Sequence, residues 1–460
     1  MNIILKYASK YLVILLTIIQ MFNCESYIEV ELPDSQLVGE TVFNDLDTAE
    51  AAVTNIYSEL SNNVLVCGNN KGISILLGSY ADELQTYNTG ISEFIFYQNN
   101  LSSFNSNVAS LWDGSYQLIY AANAIIEGLD HSYTISEYDK VRLKGEALFV
   151  RAFMHFYLAH LFGDIPYATS TDYNVNSVLG RTPIAEVRAL LITDLEAAKQ
   201  YLDEGPINPL KLRPSVHAVN TLLARIYLYD GDWAAAEAVA NSVISFDGLN
   251  METSLDAVFL KTSSGTIWQV MREEGLPTHE AQSFIFTLSP PPNRALSSSI
   301  IADFELGDLR KVHWTGYVEE GGDVWYYPYK YKQFVTEAES QEYSIVFRIE
   351  ELYLIRAEAR VHLGDLEGAK SDINKIRNRA SLSNTSAETE QELLDAIIQE
   401  RRIEFFSELG HRFFDLKRSG LIDTILPLDK PGWDGTDILL PIPDSELLLN
   451  PNLLPQNPGY

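Results

Sequence analysis

The chain has 460 residues, 46% of them hydrophobic, with 33 Lys or Arg against 63 Asp or Glu and a formal net charge of −30. That is enough apolar material for a large core. The charge excludes nucleic acid, which needs a basic footprint, and disfavours strongly anionic ligands. The 25 Tyr, 20 Phe and 6 Trp exceed what a core alone requires.

Residues 1–23 read as a signal peptide: Lys6 and Lys10, then a short apolar run from Tyr11 to Phe22. The run is too short to span a membrane, which takes about 20 residues. The order Met21-Phe22-Asn23-Cys24 resembles a bacterial lipoprotein cleavage site, with Asn23 where a small residue is usual. Cys24 is therefore the expected lipidation site, followed by the acidic segment ESYIEVE. Two cysteines make no disulfide framework, so Cys67 is expected as a buried thiol.

Asp47 and Glu50 have capping-box spacing and predict a helix over 48–61. Residues 62–107 are irregular and hold Tyr87, Phe94, Phe96 and Tyr97. A helix over 108–128 precedes the apolar stretch 142–162, whose Phe149, Phe153 and Phe156 fill a second face beside Leu143, Ala147, Val150 and Met154. A helix apolar on most sides is buried by its neighbours, so its Glu146 and Arg151 need partners. Gly163 and Pro166 end it. Thr182-Pro183 opens a helix to about 202.

Two helix pairs follow with the same punctuation: 215–229 and 233–245 around Gly231-Asp232, and 352 to 377 around Gly364-Asp365. Ala224/Ala357 and Ala236/Ala369 align between them, as in tetratricopeptide pairs, where small residues let helices close. Between the pairs, residues 250–343 lose helical periodicity. Long irregular insertions are usually functional or disordered, and aromatics argue against disorder. This one holds Trp314, Tyr317, Trp325, Tyr326, Tyr327, Tyr329 and Tyr331. Gly321-Gly322 permits a tight turn that would set the pairs 314/317 and 325/326 side by side as a platform; the alternative is that they pack the insertion onto the helices. Tyr329 and Tyr331 read as core. A last long helix is expected over 391–408.

No catalytic motif emerges. His279-Glu280 lacks the second His of a zinc motif, and no nucleophile elbow, phosphate loop or EF-hand is present. His155 and His160 are off one face. Asp230 and Asp232 read as turn and N-cap residues. Glu400, Glu404 and Glu408 share a helical face, but with Arg401, Arg402, Arg412 and Asp415 nearby they read as an ion-pair network rather than a glycosidase pair. No cofactor or metal site is expected.

Three stretches carry a resemblance: R-x-x-x-E-A-x-F-x-R-A-F with F-G-D-I-P-Y over 142–167; E-R-R-x-E-F-F-x-E-L-G-x-R-F-F-D-L-K-R over 400–418; and L-P-I-P-x-x-E-L, then N-P-N-L and Q-N-P-G-Y, at the chain's end. With the lipoprotein-like start, these resemble the SusD/RagB family of surface nutrient-binding lipoproteins. The resemblance implies an all-α fold of tetratricopeptide-like helix pairs with a large irregular, loop-rich, ligand-facing portion. The parts would be the signal peptide 1–23, an N-terminal part 24–250 and a C-terminal part 251–460 that includes the insertion. It implies a lipid-anchored protein at the outer-membrane surface that captures a glycan and delivers it to a SusC-like TonB-dependent transporter, making and breaking no bond. Alternatives are a peptide-binding RagB-like protein, a secreted hydrolase using Glu400 and Glu404, and a tetratricopeptide adaptor. The expected ligand-binding residues are Trp314, Tyr317, Trp325 and Tyr326, with Tyr87 and Tyr97 from the second aromatic loop.

Overall fold

The computed structural model describes residues 42–203 and 209–460. The signal peptide and Cys24 lie outside the described residues. The central helix runs Glu137–Phe162, started by Ser136, whose hydroxyl accepts the Asp139 amide hydrogen, and stopped by Gly163 at φ 78°. Every residue from Gly145 to Phe162 is buried. Each fully buried Phe contributes about 1.5–3 kcal/mol. The Phe face meets a two-stranded sheet, for which periodicity alone gave no signal. Numbering the six strands among the described residues in chain order, β1 is Leu84–Thr86, β2 Thr266–Val270 and β3 Arg294–Leu296. The others are β4 Thr315–Glu320, β5 Asp323–Pro328 and β6 Ser344–Arg348. Antiparallel β2 and β6 lay Trp268 against Phe149 and Phe153, ring centres 5.0 and 5.2 Å apart.

The two charges of this helix are paired, as their burial demands. Arg151 donates to both oxygens of Asp194 (2.8 and 2.6 Å) and to Asn123 (2.8 Å). Glu146 accepts from Tyr57 at 2.7 Å and Arg213 at 2.7 Å. Thus the charges tie the central helix to helices Ile184–Tyr201 and Leu46–Asn62.

The repeats join in space although they are apart in sequence. Helices Ser106–His131, Glu137–Phe162, Ile184–Tyr201, Val216–Asp230, Trp233–Ile244, Ile349–His362, Leu366–Arg379 and Glu390–Glu404 each pack on the next. This is an all-α scaffold of tetratricopeptide-like pairs. The insertion leaves it after Ile244 and re-enters at Ile349. Gly231 (φ 73°) and Gly364 (φ 84°) make the two sharp turns. Asp232 and Asp365 cap the helices that follow, accepting from Ala235 and Gly368. Ala224, Ala236, Ala357 and Ala369 are fully buried at the closing faces.

Three expectations need correction. The first helix is capped by Asp45, not Asp47, while Glu50 serves Arg213. Helix 184–201 takes its cap from Asp164, which accepts the Ile184 amide hydrogen at 2.9 Å, not from Thr182. The helix expected over 391–408 stops at Glu404. Lys330 and Arg348 take the Glu404 carbonyl that would continue it, both at 2.8 Å, and Ser407 and Leu409 adopt positive φ. Tertiary donors outcompete the helical ladder there.

Candidate functional site

The insertion is more ordered than its composition suggested. β4 and β5 form a hairpin closed by Gly321 and Gly322, both at positive φ, as a two-residue turn needs. Its register pairs Tyr317 with Tyr326 and Val318 with Trp325. Side chains alternate across a strand, so Tyr317 and Tyr326 share one face and Trp325 and Tyr327 the other. Tyr327 lies over Gly316, where any Cβ would come within 2.4 Å of its ring.

The four-aromatic platform must be corrected, because Trp314 is not on the hairpin. It ends helix Leu309–Trp314, is fully buried, and donates its indole hydrogen to the Leu255 carbonyl at 3.0 Å. Phe259 meets its ring edge-on at 5.5 Å, and Lys330 and Arg379 lie over it. Trp314 is core, as is Tyr331. Tyr317 is 61% exposed and tilts against Tyr326 at 5.7 Å; Tyr326 in turn packs on the core beside Lys311.

The other face of the hairpin meets the second aromatic loop. β1 pairs with β3, and β3 neighbours β5. The Tyr87 amide donates to the Asn293 carbonyl at 2.7 Å. This brings the Tyr87 hydroxyl near the Trp325 indole N–H. Burial pushes the Tyr87 phenol up, and the nearby Trp325 N–H works against that shift. Tyr97 and Asp323 are close enough to act on the same hydroxyl electrostatically. Tyr97 stacks on Phe94 at 6.0 Å, with the Lys430 ammonium 4.1 Å from its ring centre. Two stretches more than 200 residues apart thus supply one partly exposed aromatic face, edged by the Asn88 and Asn293 amides (3.1 Å apart) and Asp323.

The face has a rigid base. Glu93 is buried and accepts from Arg294 Nε at 2.9 Å and from Ser79 at 2.8 Å. Arg294 also donates to Asn70 at 2.8 Å and the Ser283 carbonyl at 2.7 Å.

Two family descriptions match the chain: "Starch-binding associating with outer membrane" over residues 27–228 and "SusD family" over 311–426. The chain belongs to the SusD family. SusD-like protein P2 of Formosa agariphila is 29% identical across 99% of this chain and 100% of its own length. Starch-binding protein SusD of Bacteroides thetaiotaomicron is 33% identical over 36% of this chain and 28% of its own. Among solved structures, a SusD superfamily protein from Bacteroides vulgatus superposes with a TM-score of 0.79 at 22% identity, covering 91% of this chain and all of its own. Surface glycan-binding protein A from Bacteroides fluxus does so at 0.72 and 21%, covering 90% and 99%.

In this SusD family member the shared acidic face of helix 390–404 is spent on guanidinium groups. Glu404 is fully buried and pairs with Arg348 and Arg379, both at 2.5 Å; Glu400 pairs with Arg310 at 2.6 Å. Those three arginines hold the Glu404 carboxyl far below the usual range, against its burial. Both carboxylates are committed to buried ion pairs, and burial pushes that of Glu400 up. His155 and His160 are core: burial drives both down to about 3, and His155 Nε2 accepts from the Ala168 amide at 3.2 Å. The buried Cys67 thiol, pushed up to about 12 by burial, donates to Asn69. Among the described residues no three His, Cys, Asp or Glu side chains converge as a metal site.

Residues that sequence reading missed are Asn88, Asn293, Asp323 and Lys430. Asn293 sits in the PPPNRALSSS run, legible only as loop. Lys430 has no local signal, since a contact across 333 residues creates its role beside Tyr97.

Proposed function

We propose that this protein captures a glycan on the face formed by Trp325, Tyr87 and Tyr97, and hands it to a SusC-like TonB-dependent transporter in the outer membrane. The observation that carries the reading is the meeting of Trp325 with Tyr87 across the junction of two loop regions, on a rigid base. Indole and phenol faces stack on the apolar faces of sugar rings, while the neighbouring amides of Asn88 and Asn293 and the Asp323 carboxylate suit hydroxyls. The net charge of −30 fits a neutral ligand. The names of relatives that bind starch or surface glycan point the same way. Tyr317 and Tyr326, on the opposite hairpin face, would touch only a longer ligand that wraps the turn.

The protein is read as a binding protein, not an enzyme. A lipid on Cys24 would hold it at the cell surface; several acyl chains anchor firmly where one does not. The deciding experiment is a screen of the purified protein against neutral glycans and peptides, with the Tyr87→Phe and Trp325→Ala variants alongside. Glycan binding lost in Trp325→Ala supports the reading. Binding of peptides alone would replace it by a peptide carrier, and glycan binding indifferent to both variants would move the site elsewhere.

A further inference from the structure

A second cleft, of about 330 Å³, lies away from the hairpin. It is within the range of small-ligand sites, roughly 300–1,000 Å³. Its wall is Trp112, Tyr116 and Tyr120 from helix Ser106–His131; Tyr173 and Asn176 face them, and Glu446 and Leu449 come from the C-terminal segment. The cleft is anchored by motifs at both ends: Tyr116 donates to the Pro166 carbonyl at 2.8 Å, and Asn450 donates to that of Leu179 at 2.7 Å.

Three observations define what fits. The wall is aromatic and incompletely covered: Tyr120 is 55% and Tyr173 78% exposed. The Asn176 amide oxygen is shielded from solvent and has no hydrogen-bond partner among the described residues. Beside the rings stand two carboxylates: Glu446 lines the cleft itself, and Asp113 lines an adjoining one that shares Trp112, Tyr116, Tyr120 and Glu446 with it. Neither forms an ion pair among the described residues. Arg181, whose charge reaches Tyr116, is spent on the carbonyls of Asp164 and Pro455 and on Asn457.

We propose that this cleft is a second ligand site, distinct from the hairpin face, that takes a compact ring or alkyl body carrying a primary ammonium. Aromatic faces attract a cation through the ring quadrupole, and best where water is thinned out. Glu446 and Asp113 supply the opposite charge, and the ammonium supplies the donor that the Asn176 oxygen lacks. The Glu446 carboxyl bears the mark of an uncompensated site: burial and then the Asp113 charge push it up, opposed only by the Trp112 indole hydrogen. A neutral sugar would leave both carboxylates unmatched. The ammonium could belong to an amino sugar or to a lysine-like side chain.

Calorimetric titration of the purified protein with glucosamine, glucose and cadaverine tests this. Saturable glucosamine binding without glucose binding, weakened at least tenfold by Glu446→Gln, supports the proposal with an amino sugar as source. Cadaverine binding with the same dependence, and none of glucosamine, supports it with a lysine-like source. Tyr120→Ala should also weaken binding, and Trp325→Ala should leave it intact. The proposal is overturned if neither amine binds, if glucose binds as well as glucosamine, if Glu446→Gln has no effect, or if Trp325→Ala abolishes binding. The last result would assign the amine to the hairpin face. Failure here leaves the glycan reading of that face standing, since the two rest on different residues.

Discussion

Asn457 donates its side-chain amide to the backbone carbonyl of Phe162 at 2.8 Å, so the fourth residue from the chain's end caps the central helix. The same amide reaches the Leu440 carbonyl at 2.7 Å, and its oxygen accepts from Arg181 at 2.6 Å. Buried acceptors left without a donor cost about 1–3 kcal/mol. Asn457→Ala should therefore lower unfolding stability by about that amount, measured by urea denaturation. An unchanged midpoint would mean the terminal segment docks without this amide.

Arg151 and Asp194 give a sharper case. Tyr167 also donates to Asp194, at 2.6 Å, so the carboxylate has three donor contacts in a buried place. Removing Arg151 strands a charge, at a cost of about 3–5 kcal/mol. Arg151→Ala and Arg151→Met should both show it, although Met keeps the volume. The double variant Arg151→Met, Asp194→Leu should recover most of the loss. If the double variant is as unstable as the single, the destabilisation comes from packing rather than from the orphaned carboxylate.

The fold also carries a pH signature. Glu83 is buried, one of its oxygens has no partner, and the other accepts only a long 3.4 Å bond from the Ser407 amide. Burial, then the Asp82 charge, pushes its carboxyl up to about 8 from the model-peptide value of 4.5. The folded state then holds a proton that the unfolded state has lost between those values. Its contribution is complete below about pH 4.5 and falls as pH rises to about 8, by up to about 1.4 kcal/mol per pH unit. Lys417, lowered by burial to about 7, works in the opposite sense above neutral pH. The comparison with Glu83→Gln isolates the carboxyl. The variant should gain stability relative to wild type between pH 5 and 8; parallel pH profiles would refute the burial of a protonated Glu83.

How much of this was legible follows from distance along the chain. The central helix, its paired charges and the Gly-Asp turns are local patterns, and they were readable because periodicity, caps and breakers are set within one or two turns of helix. The Glu404 break was not, since Lys330 and Arg348 come from another part of the chain. The hairpin turn was legible in Gly321-Gly322. The register was not fixed by it in advance, and register is what puts Trp325 on one face and Tyr326 on the other. For Trp314 the sequence leaves platform and core both open, because nearness to Tyr317 does not reveal the helix end between them. The meeting of Tyr87 with Trp325 lay beyond any local signal.

The two tryptophans therefore make the final test, since they differ in what covers them. Trp314 has a full protein shell and a partner for its N–H, the Leu255 carbonyl. Trp314→Ala should open a cavity and cost about 3–5 kcal/mol, with any loss of binding following from unfolding. Trp325 is half-buried on a hairpin whose turn and pairing do not depend on its ring. Trp325→Ala should cost about 1 kcal/mol or less, the scale of a surface change, while removing much of the stacking face. Thermal melting and glycan affinity measured on the same preparations separate the two. If Trp325→Ala melts as low as Trp314→Ala, the ring is core and the glycan face must be rebuilt around Tyr87 and Tyr97 alone.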